Sequence, residues 1–136
     1  MNLKARFILE AMGQPESLVK KTLEAMLDSI KKTQKVEDSF IEKPKLSGEK
    51  FYTSFMEITI SFKNVPQLFE FITLFTPTIV EILEPYKFEM NAGELENICN
   101  DVMGKIHALD KNYKSAMSVN KLLQNKVLQN NTDNKI

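Results

Sequence analysis

The sequence is poor in the residues on which disulfides, metal centres and many active sites depend. Its 136 residues include one cysteine, Cys99, one histidine, His107, and no tryptophan. A single cysteine excludes a disulfide within the chain, which is typical of a reducing compartment, so we expect a cytoplasmic protein. One histidine and one cysteine are also too few for a zinc site of the usual kind. On a predicted helix the two side chains lie about 12 Å apart along the axis, too far for proton transfer.

The sequence also has few glycines, no net charge and no long apolar run. Each of these features argues against one class of function. The four glycines are isolated, so neither a phosphate-binding loop nor a dinucleotide-binding fingerprint fits. The 18 basic and 18 acidic side chains cancel, which removes a long-range attraction to nucleic acids and anionic membranes. No apolar run approaches the ~20 residues of a membrane-spanning helix, and the N-terminal run is too short for a signal peptide. We therefore expect no catalytic residues, no cofactor, no metal and no membrane partner.

What the sequence does contain is the same order of signals in each half: a strand, a break, an amphipathic helix and a second strand. Apolar side chains alternate in the strand segments and recur every three to four residues in the helical segments. The segments are 3–12, 16–32 and 36–43 in the first half and 52–62, 67–75 and 79–90 in the second, with a turn at 46–49 between the halves. Two β-α-β units predict an α+β fold, a ferredoxin-like β-α-β-β-α-β sandwich with a four-stranded antiparallel sheet.

A long C-terminal helix follows the doubled unit. A capping pattern at Asn91–Glu94 opens it, and apolar residues then recur at near-heptad spacing from Leu95 to Val127. We predict a domain at 1–92, a helical extension at 93–128 and a disordered tail at 129–136. One small sandwich can cover only the first half of such a helix. Two possibilities stay open for the second half: a partner helix packs on it, or the chain turns at 110–112 and folds back over the sheet.

Two groups of apolar side chains have no predicted place in the core. One lies on the sheet face opposite the two short helices, here called the open sheet face, and the other lies on the second half of the long helix. We therefore predict a non-enzymatic protein-interaction or regulatory domain whose partner is another copy of itself or a different protein. The predicted partner-binding residues are Ile8, Phe51, Phe55 and Leu83 on the sheet and Tyr113, Met117, Leu123 and Val127 on the helix.

RNA binding is one alternative that the sequence leaves open. Some ferredoxin-like domains stack bases on aromatic side chains of the open sheet face, where Phe51 and Phe55 project beside Arg6. The residues around Phe51 lack the spacing of the RNA-recognition signature, and Glu57 on the same surface would repel phosphates. Nucleic acid is therefore not the partner that we expect.

A small-ligand loop is the other alternative. Gly13 and Gln14 lie between a strand and a helix N-terminus, where anions bind in other proteins, although a simple turn explains the same residues.

A resemblance to known families rests on the first strand–helix connection. The segment Ala5-Arg6-Phe7-Ile8-Leu9-Glu10-Ala11-Met12-Gly13-Gln14-Pro15-Glu16 resembles the start of small archaeal proteins with no assigned activity, and the layout from Glu57 to Met90 is similar to theirs. In fold the chain also resembles ACT-like regulatory domains, which bind small molecules, often amino acids, at dimer interfaces near this connection. That resemblance implies ligand sensing by a dimer. The ACT ligand loop is not matched by Met12–Pro15, so no binding residues are carried over.

Overall fold

The computed structural model describes residues 2–133. Its contacts divide the chain between Met90 and Asn91 into two compact units. The elements in chain order are β1 (Leu3–Gly13), α1 (Glu16–Thr33), β2 (Lys35–Ile41), β3 (Lys45–Ser47), β4 (Phe51–Phe62), α2 (Val65–Phe75), β5 (Ile79–Glu84) and α3 (Ala92–Asp133). The predicted α+β class and the predicted long C-terminal helix are confirmed.

The strands form one antiparallel sheet in which β1 and β4 are central. The strand order is β2-β4-β1-β5, and β3 pairs with β4 outside this path. β1 and β4 pair along their whole length, from Leu3 opposite Phe62 to Gly13 opposite Tyr52. Every second side chain is buried from Leu3 to Leu9 in β1 and from Ser54 to Phe62 in β4, which confirms the alternation in the sequence. The core side chains that these two strands contribute are Leu3, Ala5, Phe7, Leu9, Met56, Ile58, Ile60 and Phe62.

The prediction of four strands is wrong because Lys45–Ser47 pairs with β4. Ser47 lies opposite Phe51, which leaves a loop of three residues, and Gly48 in that loop has a φ of 71°. Hairpin loops of this length use one residue in the left-handed conformation, which glycine adopts without a steric penalty. The predicted turn therefore lies at Gly48, while a strand of three residues is too short for an alternating pattern to reveal.

The two short helices pack on one face of the sheet through apolar stripes. α1 buries Val19, Leu23 and Ile30. α2 begins at the predicted cap, where the Asn64 side chain accepts a hydrogen bond from the Gln67 backbone N–H at 3.0 Å. The Gln67 side chain accepts one from the backbone N–H of Lys63 at 3.1 Å, so the two polar side chains together satisfy donors at the helix start.

β5 is shorter than the strand predicted at 79–90. It ends at Glu84, which lies opposite Lys4 near the start of β1. Beyond that pair β1 offers almost no backbone to bind, and Pro85 has no N–H with which to continue the ladder. The alternation of apolar residues from Tyr86 to Met90 is therefore not that of a strand.

α3 is a continuous helix of 42 residues, about 63 Å long at 1.5 Å per residue. The Asn91 side chain accepts a hydrogen bond from the Glu94 backbone N–H at 2.8 Å, which confirms the predicted cap. Because the helix is unbroken at 110–112, the alternative of a turn there is wrong. Helical backbone also includes residues 129–133 of the predicted tail, and residues 134–136 lie outside the described range. None of the helices between residues 2 and 133 is both long and apolar enough to cross a membrane.

Candidate interaction surfaces

The open sheet face is built by the side chains of β1 and β4 that alternate with the core. Arg6 lies opposite Thr59 of β4 on one side and Glu81 of β5 on the other. Ile8 in the same way lies between Glu57 and Ile79. The sheet register therefore brings a guanidinium, two carboxylates and two isoleucines together on the face opposite α1 and α2.

One guanidinium on this face forms ion pairs with two carboxylates. The Arg6 guanidinium donates to Glu57 Oε1 at 2.6 Å and also to a carboxylate oxygen of Glu81. The hydrogen bond and the negative charge of Glu81 raise the pKa of Arg6, and Glu57 adds to the effect. Both carboxylates are partly exposed, so water screens the pairs. The three side chains together carry a net negative charge, which disfavours a phosphate ligand.

The predicted aromatic residues of the open sheet face lie at its end near β3. Phe51 is 46% exposed and lies opposite Ser47, while Phe55 is half-buried and lies opposite Glu10. Two further exposed apolar residues share this face and were not predicted. Ile79 shares its side of the regular alternation in β5 with Glu81 and was predictable, whereas Phe40 follows an irregularity in β2 between Val36 and Asp38 that breaks the alternation.

Leu83 has no opposite residue in the sheet. The register between β1 and β5 shifts between Lys4 and Ala5, so Ile82 lies opposite Ala5, Glu84 lies opposite Lys4, and Leu83 falls between them. Simple alternation therefore does not determine which face of the sheet the Leu83 side chain occupies. The β5 residues that pair with β1 on the open sheet face are Ile79 and Glu81.

The predicted residues of the long helix are all exposed. Tyr113, Met117, Leu123 and Val127 are between 52% and 64% accessible on α3. The same helix exposes Met103 and Val119, which the sequence pattern does not single out. The apolar side chains of α3 that are at least 45% exposed are Leu95, Met103, Ile106, Leu109, Tyr113, Met117, Val119, Leu122, Leu123, Val127 and Leu128.

The predicted ligand loop connects β1 to α1. Gly13 ends β1 opposite Tyr52, and a Cβ at this position would meet Val19 Cγ2 at 3.8 Å, an ordinary contact. A surface cavity of about 750 Å³ lies beside the start of α1, but neither Gly13 nor Gln14 lines it. Two carboxylates, Glu16 and Glu42, and two lysines, Lys20 and Lys43, line it, so its formal charges balance.

The remaining reactive side chains are dispersed. Cys99 is exposed on α3 as a free thiol. Over residues 2–133, no three histidine, cysteine or carboxylate side chains come together in a way that would hold a metal ion.

Comparison with known families adds one finding. The sequence model of the MJ0538 family matches residues 4–131. The chain belongs to the MJ0538 family. The match runs from β1 into the last turns of α3, so the sheet and the long helix both belong to the part that defines the MJ0538 family. No curated protein and no solved structure matches the chain.

Proposed function

We propose that this protein is a non-enzymatic interaction protein that assembles with further copies of itself, and that α3 provides the main contact. The observation that carries the proposal is the apolar surface along α3. Leu109, Tyr113, Leu122 and Leu128 are each between 64% and 67% exposed, whereas the apolar stripe of α1 is buried. Helices in proteins obtain most of their stability from packing of an apolar face. A second helix on α3 would remove this surface from water.

The open sheet face is the weaker of the two candidate contacts. Its apolar side chains, such as Ile8 and Phe51, are interrupted by the ion pairs of Arg6 with Glu57 and Glu81. Interface centres are typically depleted in charged residues, so this face fits the rim of an interface better than its centre. The same ion pairs oppose RNA binding, because the Arg6 guanidinium already binds two carboxylates of the protein.

Support for a non-enzymatic role comes from the causes of the shifted pKa values. The pKa of Arg6 is raised by neighbouring carboxylates, and that of Glu37 is lowered by a hydrogen bond from Ser61 and by nearby lysines. Arg6 lies in a part-buried hydrogen-bonded pair and Glu37 in an exposed one, and local hydrogen bonding and ion pairing account for both shifts without a catalytic pocket. The single, free Cys99 is in keeping with the predicted reducing, cytoplasmic location.

Sedimentation equilibrium of the full chain tests the proposal. We expect a mass that is a multiple of 15.6 kDa and that falls on dilution. The variant Leu109→Gln with Leu123→Gln keeps helix propensity but removes apolar surface, so its association should weaken at least about tenfold. The matched control, Lys111→Gln with Ser118→Gln, alters the polar side of the same helix and should leave association unchanged.

Two results would contradict the proposal in different ways. A monomer at every concentration would overturn self-association. A multimer that is unaffected by the α3 variant but weakened by Phe51→Gln with Phe55→Gln would move the contact to the open sheet face. That second variant is therefore measured alongside the first.

We also infer a ferredoxin-like layout with β3 as an addition to the basic sheet. β1-α1-β2 and β4-α2-β5 are both strand–helix–strand connections, and each joins strands that lie on either side of one intervening strand. Nuclear Overhauser effects from α1 and α2 to side chains on opposite faces of β1 would contradict this layout.

A further inference from the structure

The stripe along α3 keeps heptad spacing throughout, and Asn120 is the one amide side chain within it. From Leu95 to Val127 the stripe advances by four and then three residues at every step, which is the pattern that makes two helices supercoil around each other. The two positions of each heptad that face the other helix are called a and d, and together they form the seam. Position a holds Cys99, Ile106, Tyr113, Asn120 and Val127. Position d holds Leu95, Val102, Leu109, Ala116 and Leu123. The repeat spans about 48 Å of helix at 1.5 Å per residue.

The residue types along this seam favour two strands. β-Branched residues at a and leucine at d favour a two-stranded coil over three or four strands. Here Ile106 and Val127 are at a, and Leu95, Leu109 and Leu123 are at d. These seam residues are also exposed, with Leu109 at 64% and Val127 at 57%, so the seam has the surface that a partner helix would bury.

We infer that α3 pairs with α3 of a second copy of this chain as a parallel, in-register, two-stranded coiled coil through this seam. The inference rests on the proposed function, because it specifies the geometry of the proposed self-association.

Asn120 determines the direction of the two helices. In a parallel, in-register pair each a residue faces the same residue of the other copy, so the two Asn120 amides meet and can donate to and accept from each other. In an antiparallel pair a residues face d residues. Every d residue from Leu95 to Leu123 is apolar, so Asn120 would be buried without a hydrogen-bond partner. The amide therefore favours the parallel arrangement.

The charged residues beside the seam also favour the parallel, in-register arrangement. In a parallel pair the residue at position g contacts the residue five positions later, at position e, on the other helix. Lys105 at g then faces Asp110 at e, and symmetry forms this pair twice. Asp110 already forms an ion pair with Lys114 at 2.9 Å on its own helix, and a carboxylate has room to accept from both lysines. The other pairs of this kind between Ile98 and Gln124 bring no like charges together.

Cys99 reports directly on this geometry. As an a residue in the parallel register it faces Cys99 of the second copy, within the Cα separation of about 4.4–6.8 Å that a disulfide needs. In an antiparallel pair centred between Leu109 and Tyr113, the two cysteines would be about 36 Å apart along the coil. Because the chain has no other cysteine, a covalent dimer can form only at this residue.

Oxidation of the native, full-length protein with diamide, followed by a non-reducing gel, is the test. We expect a covalent dimer through Cys99. In a Cys99→Ser background, Ile106→Cys at the next a position should also cross-link. Ser118→Cys, on the side of the helix away from the seam, should cross-link at least about tenfold less because disulfide geometry is restrictive.

Sedimentation equilibrium of the reduced protein separates failure of this inference from failure of the proposed function. A reduced dimer that cross-links neither at Cys99 nor at Ile106→Cys overturns the parallel register and leaves self-association intact. A trimer or larger assembly overturns the two-stranded coil. A monomer overturns both proposals.

Asn120→Val provides a second, independent readout. If Asn120 lies in the seam, valine at this position should raise the melting temperature of the dimer and weaken its preference for one register, with species above twice 15.6 kDa appearing at high concentration. An unchanged melting temperature and mass would place Asn120 outside the seam and overturn the assigned repeat.

Discussion

The ring centroids of Phe7 and Phe71 lie 4.6 Å apart at an interplanar angle of 46°, and this contact joins the central strand β1 to α2. Phe62 of β4 lies 6.0 Å from Phe7 and 5.8 Å from Phe71, so the three rings form one cluster between sheet and helix. Phe7 and Phe71 are almost fully buried. The cluster therefore joins α2 to the sheet, and the same helix also buries Val65 and Leu68.

Truncation of Phe7 should destabilise the first unit strongly. Phe7→Ala removes the ring that contacts both partners, and loss of a buried phenylalanine costs about 3–5 kcal/mol. Phe51→Ala serves as the control, because Phe51 is exposed and surface changes cost about 0.5 kcal/mol. Urea unfolding monitored by circular dichroism measures both. Equal losses for the two variants would contradict the assignment of the core.

The four long strands were predictable from the sequence, but the short strand β3 and the register of β5 were not. β1 buries one face from Leu3 to Leu9 and β4 buries one face from Ser54 to Phe62, so apolar residues recur at every second position around Phe7 and Ile58. At the edges a strand of three residues or a register shift removes that signal. β3 around Leu46 and the break at Leu83 both depend on contacts with a neighbouring strand, which no local pattern encodes.

Removal of the α2 cap should have a moderate effect. Asn64→Ala leaves the Gln67 backbone N–H without its acceptor at 3.0 Å, and such cap losses typically cost about 1 kcal/mol. Asn64→Ser keeps an oxygen that can accept the same hydrogen bond and should retain most of the stability. Denaturant midpoints of the three proteins measure the difference. If the serine variant is as unstable as the alanine variant, the cap hydrogen bond is not the cause.

The candidate surfaces were predictable to different degrees. The spacing of Leu109, Tyr113 and Leu123 is a property of one continuous helix, so the sequence alone indicates an unsatisfied apolar stripe. The ion pairs of Arg6 with Glu57 and Glu81 involve three strands far apart in sequence. They depend on the register of β1 with both neighbours, which the residue types alone do not determine.

The two glycines at chain reversals should respond differently to alanine. Gly48 has a φ of 71° and open space around its Cα, so Gly48→Ala should cost about 1–2 kcal/mol through backbone conformation alone. In Gly13→Ala the added Cβ makes only an ordinary contact with Val19 Cγ2, so the variant should be neutral or stabilised by up to about 1 kcal/mol. Thermal unfolding of both variants checks the contrast. A large loss for Gly13→Ala would show that this residue is needed for close approach of another group.

Acidification should remove a contribution of Glu37 to stability. The Ser61 hydroxyl donates to Glu37 Oε1 at 2.8 Å and, with the charges of Lys35 and Lys4, lowers the pKa of Glu37 below its ordinary value of 4.5. A carboxylate with a lowered folded-state pKa stabilises the fold above its unfolded pKa, and this contribution is lost as the pH falls through the folded pKa. Ser61→Ala should therefore raise the pKa of Glu37 and flatten the fall in stability as the pH drops below 4.5. Carbon-13 NMR titration of the Glu37 carboxyl measures the pKa directly, and an unchanged value in Ser61→Ala would rule out this hydrogen bond as its main determinant.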